Sequence, residues 1–390
     1  MCKIIWAAAA LMLLVSCGGG GKTQQQTAIQ KDTLADVSPR YAKGFMVKNM
    51  DNGMRLVDVV DPQNDGDGMA TDYRFALVPK GTGLAAPDGY VSVEVPVERV
   101  IVMTMLQLSN FTVLDAHDVV SGITGTKNLF NKDILQRAED GRLVKIGMEG
   151  NFDTEMVLAA NPDIIFISPS KRGGYDAIRE TGITLVPHLG YKELDPLGQA
   201  EWIKFVGMFI GKEKEAGEVF AGIEKRYNGL KEKVNALYPA KRPNDQTTKR
   251  PTVTSGEMHY GTWHAVGGKN YLAQIFRDAG ADYVIDDEET SGENLEFEKM
   301  YALAANADYW RILNSYPSEF SYEALEASEP RNALFKAFKE RKVIYCNMRQ
   351  TPYYEISPVM PDVLLSDFVA IFHPELVPAD YQPTFYQLLK

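Results

Sequence analysis

The chain is 390 residues long, carries a formal net charge of −11 and holds three cysteines. That acidic balance excludes a nucleic-acid partner gripped through phosphate contacts, which require a basic face. Three cysteines cannot supply a disulfide framework, so stability must come from buried apolar surface.

Met1 to Ser16 has one basic residue, Lys3, and then an apolar run from Ile4 to Val15. A run of about a dozen residues suits a signal-peptide core and falls short of the roughly 20 needed to span a bilayer. It ends in Leu14-Val15-Ser16-Cys17, which resembles the processing site of bacterial lipoproteins and implies lipidation at Cys17 after loss of 1–16. Residues 17–40 open on Gly18 to Gly21 and a polar stretch; such a segment buries little, costs entropy to order and reads as a flexible tether. The expected location is periplasmic, on a membrane through the lipid anchor. Cys346, inside Val343-Ile344-Tyr345-Cys346, reads as a buried inert thiol. The remaining body of about 370 residues exceeds the usual size of one core, which predicts two domains.

From Tyr41 to Val95 the chain is strand-like. Met46–Lys48, Arg55–Val60, Tyr73–Val78 and Tyr90–Val95 are short runs separated by Asp51-Asn52-Gly53, Asp65-Gly66-Asp67-Gly68 and Pro87-Asp88-Gly89. The aspartates at 65–68 lack the spacing and the closing glutamate of a calcium loop, so a hairpin loop is the reading. After Pro96 strands alternate with helices: strands at Arg99–Met103, Val119–Ile123, Ile164–Ile167 and Thr184–Val186, helices at Leu106–Leu114, Asp153–Ala160 and Tyr175–Thr181. Alternation of this kind predicts a parallel sheet covered by helices.

Next comes the longest periodic segment. Ala216, Phe220, Ile223, Tyr227, Leu230, Val234 and Leu237 fall at intervals of four and three, which places them on one helical face. A helix over Glu213–Tyr238 would be about 39 Å long, enough to link two lobes. A polar loop from Pro239 to Pro251 follows, then a second alternating set: strands at Thr252–Ser255, Tyr283–Ile285, Tyr309–Leu313 and Val343–Cys346, and helices at Tyr271–Ala279, Phe297–Ala305, Ala333–Lys339 and Pro361–Phe372. Glu155 to Asn161-Pro162-Asp163 and Glu298 to Asn306-Ala307-Asp308 share an outline of short helix, asparagine and apolar strand. This echo implies two similar halves.

Several segments carry a family resemblance in their order and spacing: Pro96 to Val102, Ile146-Gly147 with Asp153-Thr154-Glu155, Asn161-Pro162-Asp163, Gly211-Lys212-Glu213, Trp263 to Asn270 with Asp278 to Ala281, and Pro361 to Leu365. Over roughly Val97–Lys390 the chain resembles the helical-backbone substrate-binding proteins of ABC importers, the iron-siderophore and cobalamin type. The fold implied is α/β, two Rossmann-like lobes joined by one long backbone helix, with an N-terminal β-rich extension at 41–95. The N-terminal lobe would span 41–197, the linking helices and loop 198–250, and the C-terminal lobe 251–390. The resemblance implies a monomer that grips a metal chelate between its lobes and passes it to a permease in the inner membrane. It implies no enzyme activity and no cofactor.

Loops that follow the strands line the cleft in such proteins. They nominate Met103, Thr104 and Met105; Thr126, Lys127 and Asn128; Ser168 to Arg172, including Lys171; His188 and Tyr191; His259, Tyr260, Trp263 and His264; and Arg349 with Tyr353. Aromatic and thioether surface with a few cations fits a bulky, partly apolar, anionic chelate. Trp263 would stack on the ligand, or pack inside its lobe. Arg172 and Arg349 would neutralise ligand oxygens, or face water. The resemblance also implies permease docking through one carboxylate per lobe, here Glu155 and Glu298; a carboxylate near a helix start is favoured by the dipole in any case.

Heme or cobalamin on the same fold is the alternative, with His259, His264 or Tyr260 available to heme iron. A bare metal would need three or four converging ligands, and the five histidines have no metal-site spacing, so no metal ligand is assigned. An enzyme would need a nucleophile beside a base, and the chain has neither a Gly-x-Ser-x-Gly elbow nor a His-Glu-x-x-His pair. A surface interaction lipoprotein without an importer is the remaining reading.

Overall fold

Turn chemistry between β-branched runs produces the first sheet. Strand β1 (Phe45–Asn49) returns through Gly53, which sits at φ +86°, into β2 (Arg55–Val59). Next come β3 (Tyr73–Pro79), antiparallel to β2, and β4 (Val91–Val95), which runs parallel to β3. The computed structural model describes residues 37–63, 73–127, 129–148, 151–169, 175–238 and 249–390. The expected signal at 1–16, Cys17, the tether to residue 36, the loop at 65–68, Asn128, Lys171, Arg172 and most of the 239–251 loop lie outside the described residues.

The first α/β set is β5 (Val100–Val102), α1 (Met105–Val113), β6 (Val120–Ile123), α2 (Lys132–Glu139), β7 (Val144–Lys145), the short strands β8 (Gly147–Met148) and β9 (Asn151–Phe152), α3 (Thr154–Ala159), β10 (Ile164–Ile167), α4 (Asp176–Arg179) and β11 (Thr184–Pro187). Five of these strands form a parallel sheet in the order β11-β10-β5-β6-β7. Every residue of β6 and β10 is buried, as expected of strands covered on both faces.

Two helices then cross the molecule. Helix α5 (Pro196–Ile210) starts with Asp195 accepting from the N–H groups of Leu197 and Gly198, and stops at Gly211 in the left-handed region at φ +72°. All 15 of its residues are buried, the polar Gln199, Glu201 and Lys204 among them, so no apolar stripe stands out against an exposed face. Helix α6 (Glu213–Leu237) is 25 residues long, about 37 Å, and buries Ala216, Phe220, Ile223, Tyr227 and Val234 from the expected stripe. Its start is tied to the first set by Lys212 Nζ on the Leu114 carbonyl at 2.7 Å and to the β1–β4 sheet by the Arg55–Glu213 ion pair at 2.7 Å. Its far half is tied to the second set by Tyr227 on Asp278 at 2.7 Å and Arg226 on Asp362 at 2.6 Å. This is the linking rod that the periodicity predicts.

The second set comprises β12 (Thr252–Ser255), β13 (Glu257–His259), β14 (Thr262–Val266), α7 (Tyr271–Asp278), β15 (Asp282–Tyr283), β16 (Gly292–Leu295), α8 (Phe297–Ala304), β17 (Tyr309–Asn314), α9 (Tyr322–Ser328), α10 (Lys336–Lys339), β18 (Val343–Asn347), α11 (Tyr353–Ile356), α12 (Pro361–Phe372) and β19 (Gln387–Leu388). Its main sheet runs β15-β12-β17-β18-β19, parallel except for β19. Two expectations need correction. The stretch of His259, Tyr260, Trp263 and His264, expected as a loop after a strand, is a β-hairpin, β13–β14, extended by β16 into a three-stranded sheet. The helix expected over Ala333–Lys339 is broken at Phe335, whose ψ of 140° is extended and separates a 3-10 turn from α10.

Residues 35–390 form one compact unit, with the β1–β4 extension packed on α5. Phe45 meets Trp202 and Phe205 at ring distances of 5.1 and 5.4 Å. Buried Glu201 fastens the segment before β1 by accepting from the N–H groups of Arg40, Tyr41 and Ala42 at 2.7–3.0 Å.

Candidate ligand cleft

In both sheets the loops at the carboxyl ends of the parallel strands face a common crevice, where ligands of open α/β folds bind. From the first lobe come Met103 and Met105 after β5, Thr124, Gly125 and Lys127 after β6, and Met148 from β8; they line a cavity of about 330 Å³. Met105 and Lys127 also line a second cavity of about 250 Å³, closed from the other lobe by Ser315 after β17, Met348 after β18, and Pro352, Tyr353, Tyr354 and Glu355 around α11. The shared residues make the two cavities one cleft, and α1 packs directly on α11 across it. A larger cavity of about 450 Å³ lies between the β3 and β4 edge and the outer strand β11. It sits away from the carboxyl ends of the strands, so the interlobe cleft is the better ligand site.

Local chemistry holds these walls. Thr104 caps α1 by accepting from the Gln107 N–H at 3.3 Å, and the Gln107 side chain returns to the Met103 N–H at 2.7 Å. Gly147 presents Met148 at φ +88°, and a Cβ there would stand 2.7 Å from the Asn151 carbonyl, so only glycine fits that turn. Met148 is 71% exposed. Behind Tyr353 lies buried Arg311, whose Nε donates to the Tyr386 hydroxyl at 2.8 Å while the guanidinium lies over the Tyr386 ring at 5.1 Å. Arg311 has no carboxylate within ion-pair distance among the described residues, and its charge is met by a nest of tyrosines. Burial pushes the Tyr353 hydroxyl pKa well above its ordinary value. Burial also raises the Glu355 carboxyl pKa, against the two backbone amides that stabilise its charge.

The structure brings Met103, Met105, Lys127 and Tyr353 of the sequence-predicted set to the cleft, with Thr104 as a helix cap beside them. His259, Tyr260 and His264 lie on the β13–β14 hairpin, which leaves the carboxyl end of β12 next to the crevice. All three are exposed, and Tyr260 stands fully in solvent at φ +49°. Glu257 at the hairpin base accepts from Asn314, the last residue of β17, at 3.2 Å. Arg349 is exposed beside the cleft-lining Met348.

Trp263 corrects the sequence reading. Its ring is completely buried, stacked on Trp310 at 5.3 Å and packed against Phe335 at 5.5 Å, with its N–H on the Ser255 carbonyl at 3.0 Å. It is a core residue, because β14 alternates and the odd positions, Trp263 and Ala265, point inward while His264 points out. His188 is likewise buried, 4.7 Å from the Trp202 ring, and burial lowers its imidazole pKa to about 3.

Glu155 and Glu298 both lie exposed in the first turns of α3 and α8. Glu155 has no polar partner among the described residues, whereas Glu298 pairs with Arg331 at 3.1 Å. Among the described residues no group of three or more His, Cys, Asp or Glu side chains is placed to hold a metal ion, and no helix is long and apolar enough to cross a membrane.

Residues the sequence reading missed include Met148, Ser315, Met348, Tyr354 and Glu355. Their signal was position: Met148 follows the quoted Ile146-Gly147, Ser315 and Met348 follow strands, and Tyr354-Glu355 adjoin Tyr353.

A cleft between two parallel-sheet lobes linked by a long helix is the architecture of the helical-backbone substrate-binding proteins. The chain matches the periplasmic binding protein family across residues 104–349 and belongs to that family, whose members serve ABC transporters. It is 27% identical over 367 residues to an uncharacterized lipoprotein of Methanocaldococcus jannaschii, covering 86% of this chain and 82% of that one. In fold it is similar to a periplasmic heme binding protein from Pseudomonas aeruginosa, with a TM-score of 0.58, 15% identity and 75% and 98% of the two chains covered. It is similar also to the periplasmic vitamin B12 binding protein BtuF of Vibrio cholerae, with a TM-score of 0.51, 11% identity and 71% and 97% covered.

Proposed function

We propose that the protein captures an iron-siderophore or a related metal chelate in the interlobe cleft and delivers it to an ABC permease. The observation that carries this is the cleft wall: four methionines, Met103, Met105, Met148 and Met348, two tyrosines, Tyr353 and Tyr354, and the ammonium of Lys127. Thioethers are flexible and polarisable and fit irregular apolar surface, while a cation at the mouth selects negative charge. On this reading Cys17 carries the lipid that holds the body at the membrane, the tether ends near residue 40, and the monomer docks through Glu155 and Glu298. Lys171 and Arg172 add cations to the site, and Arg349 serves its rim.

Heme or cobalamin is the second reading. It is favoured by the exposed His259, Tyr260 and His264 on one hairpin beside the crevice, side chains able to reach a macrocycle or its metal. Titration of the full chain with ferric siderophores, heme and cobalamin, followed by calorimetry, separates the readings. A ferric siderophore should bind saturably at one site, and Lys127→Glu should weaken it by about tenfold through charge reversal. Binding of heme or cobalamin alone selects the second reading. No saturable binding by any of the three rejects capture of a metal chelate.

A further inference from the structure

The strongest unassigned feature is a hydrogen-bonded link between the lobes. Glu355, on α11 of the second lobe, is 3% exposed. Its Oε1 accepts from the Phe130 N–H at 2.5 Å and its Oε2 from the Asn131 N–H at 3.0 Å, both in the first lobe immediately before α2. We infer that Glu355 is an interlobe latch, a positioning residue that sets the width of the cleft before any ligand arrives.

Several observations make the link more than a chance contact. Both carboxylate oxygens are used, each on a different amide, so the bond fixes orientation as well as distance. The two donors lie just before the start of α2, where the helix dipole favours a negative charge. Asn131 is itself anchored: its side chain caps α2 through the Ile134 N–H at 3.0 Å and bonds His117 Nε2 at 3.0 Å. A pull on Glu355 therefore acts on α2 and the loop before β6 as one body. Glu355 also forms part of the wall of the cavity that holds Met105 and Lys127. The carboxylate thus joins the lobes at the floor of the ligand site, and separating α11 from the first lobe must strip it of both amides. A second bond, Gln199 Nε2 to the Pro358 carbonyl at 3.1 Å, ties the linking helix α5 to the segment just after α11.

The inference is independent of ligand identity. Hydrogen–deuterium exchange on the full chain tests it: the amides of 130 and 131 should be protected, and Glu355→Ala should speed their exchange by at least about tenfold while α6 stays protected. Glu355→Gln, which keeps one acceptor oxygen, should fall between. Unchanged exchange at 130 and 131 in a folded Ala variant overturns the link. If the Ala variant loses protection throughout α6, Glu355→Gln and Glu355→Asp carry the test, with the same local acceleration expected and equal exchange overturning it. A purely local role is separated by a cross-lobe distance, read from spin labels on unnatural amino acids at positions 139 and 323, which lie exposed on α2 and α9. Loss of the carboxylate should lengthen or broaden that distance; an identical distribution overturns the latch.

Discussion

Helices α3 and α8 start from one sequence outline and reach different electrostatic states. Each leads into a strand, β10 or β17, that pairs with the first parallel strand of its own sheet. Each is followed by an aspartate in the same structural job: Asp163 accepts from the Glu98 and Arg99 N–H groups at 2.7 and 3.0 Å, and Asp308 from the Thr252 N–H at 2.8 Å. The glutamates differ. Glu155 stands alone among the described residues, whereas Arg331 holds Glu298 and lies 4.0 Å over the Phe297 ring. The repeated part is what pairs strands, and the divergent part is the surface; a carboxylate that must meet a partner is cheaper to use when nothing on its own chain competes for it.

The largest effect should come from the surface. On the docking proposal, Glu155→Arg with Glu298→Arg should cut uptake in whole cells by well over about tenfold while ligand binding by the purified protein stays within error. The single variants should be unequal, Glu155→Arg the more damaging, since Arg331 already offsets the charge of Glu298. Loss of affinity in the double variant would move both carboxylates out of the docking role.

A smaller effect should come from the repeated aspartates. Burial opposes ionisation of Asp308, but Lys336, the Thr252 N–H and the Thr252 hydroxyl outweigh it and bring the pKa from 3.8 to about 2. A carboxyl with a depressed pKa stabilises the fold above pH 3.8, and that contribution fades as pH falls toward about 2. Asp308→Asn should therefore lower stability at neutral pH by about 1 kcal/mol, because the side chain keeps a quarter of its surface and solvent screens the ion pair. The difference from the parent should shrink in acid. A difference that stays constant from pH 6 to pH 2.5 in chemical unfolding would place the stabilisation in packing instead.

Much of the architecture was legible because it rests on periodicity. The stripe on α6 and the strand–helix alternation are local patterns, and cleft positions such as Met105 and Lys127 follow from the rule that loops after parallel strands face ligand. Helix α5 escaped separate notice for the opposite reason: buried on every side, it has no stripe to read. The β13–β14 hairpin was hidden by its glycines and histidines, and Trp263 was overvalued because a tryptophan near turn residues does not declare which face of a strand it occupies. The place of Glu355 beside Tyr353 was legible but its link to the first lobe was not, since its partners lie 224 and 225 positions away.

The smallest stability effect and the sharpest test of the asymmetry belong to Arg331. Its pair with Glu298 is exposed, with side chains 43% and 77% accessible, and such pairs contribute little to folding. Its second carboxylate partner, Glu329 at 2.8 Å, lies close in sequence and holds the guanidinium in place for Glu298. Arg331→Ala should leave the unfolding midpoint nearly unchanged, the cation–π contact over Phe297 included. It should also free Glu298, so that in this background Glu298→Arg harms uptake as much as Glu155→Arg does. If the two reversals remain unequal without Arg331, the difference between the lobes lies in their partner and not in the ion pair.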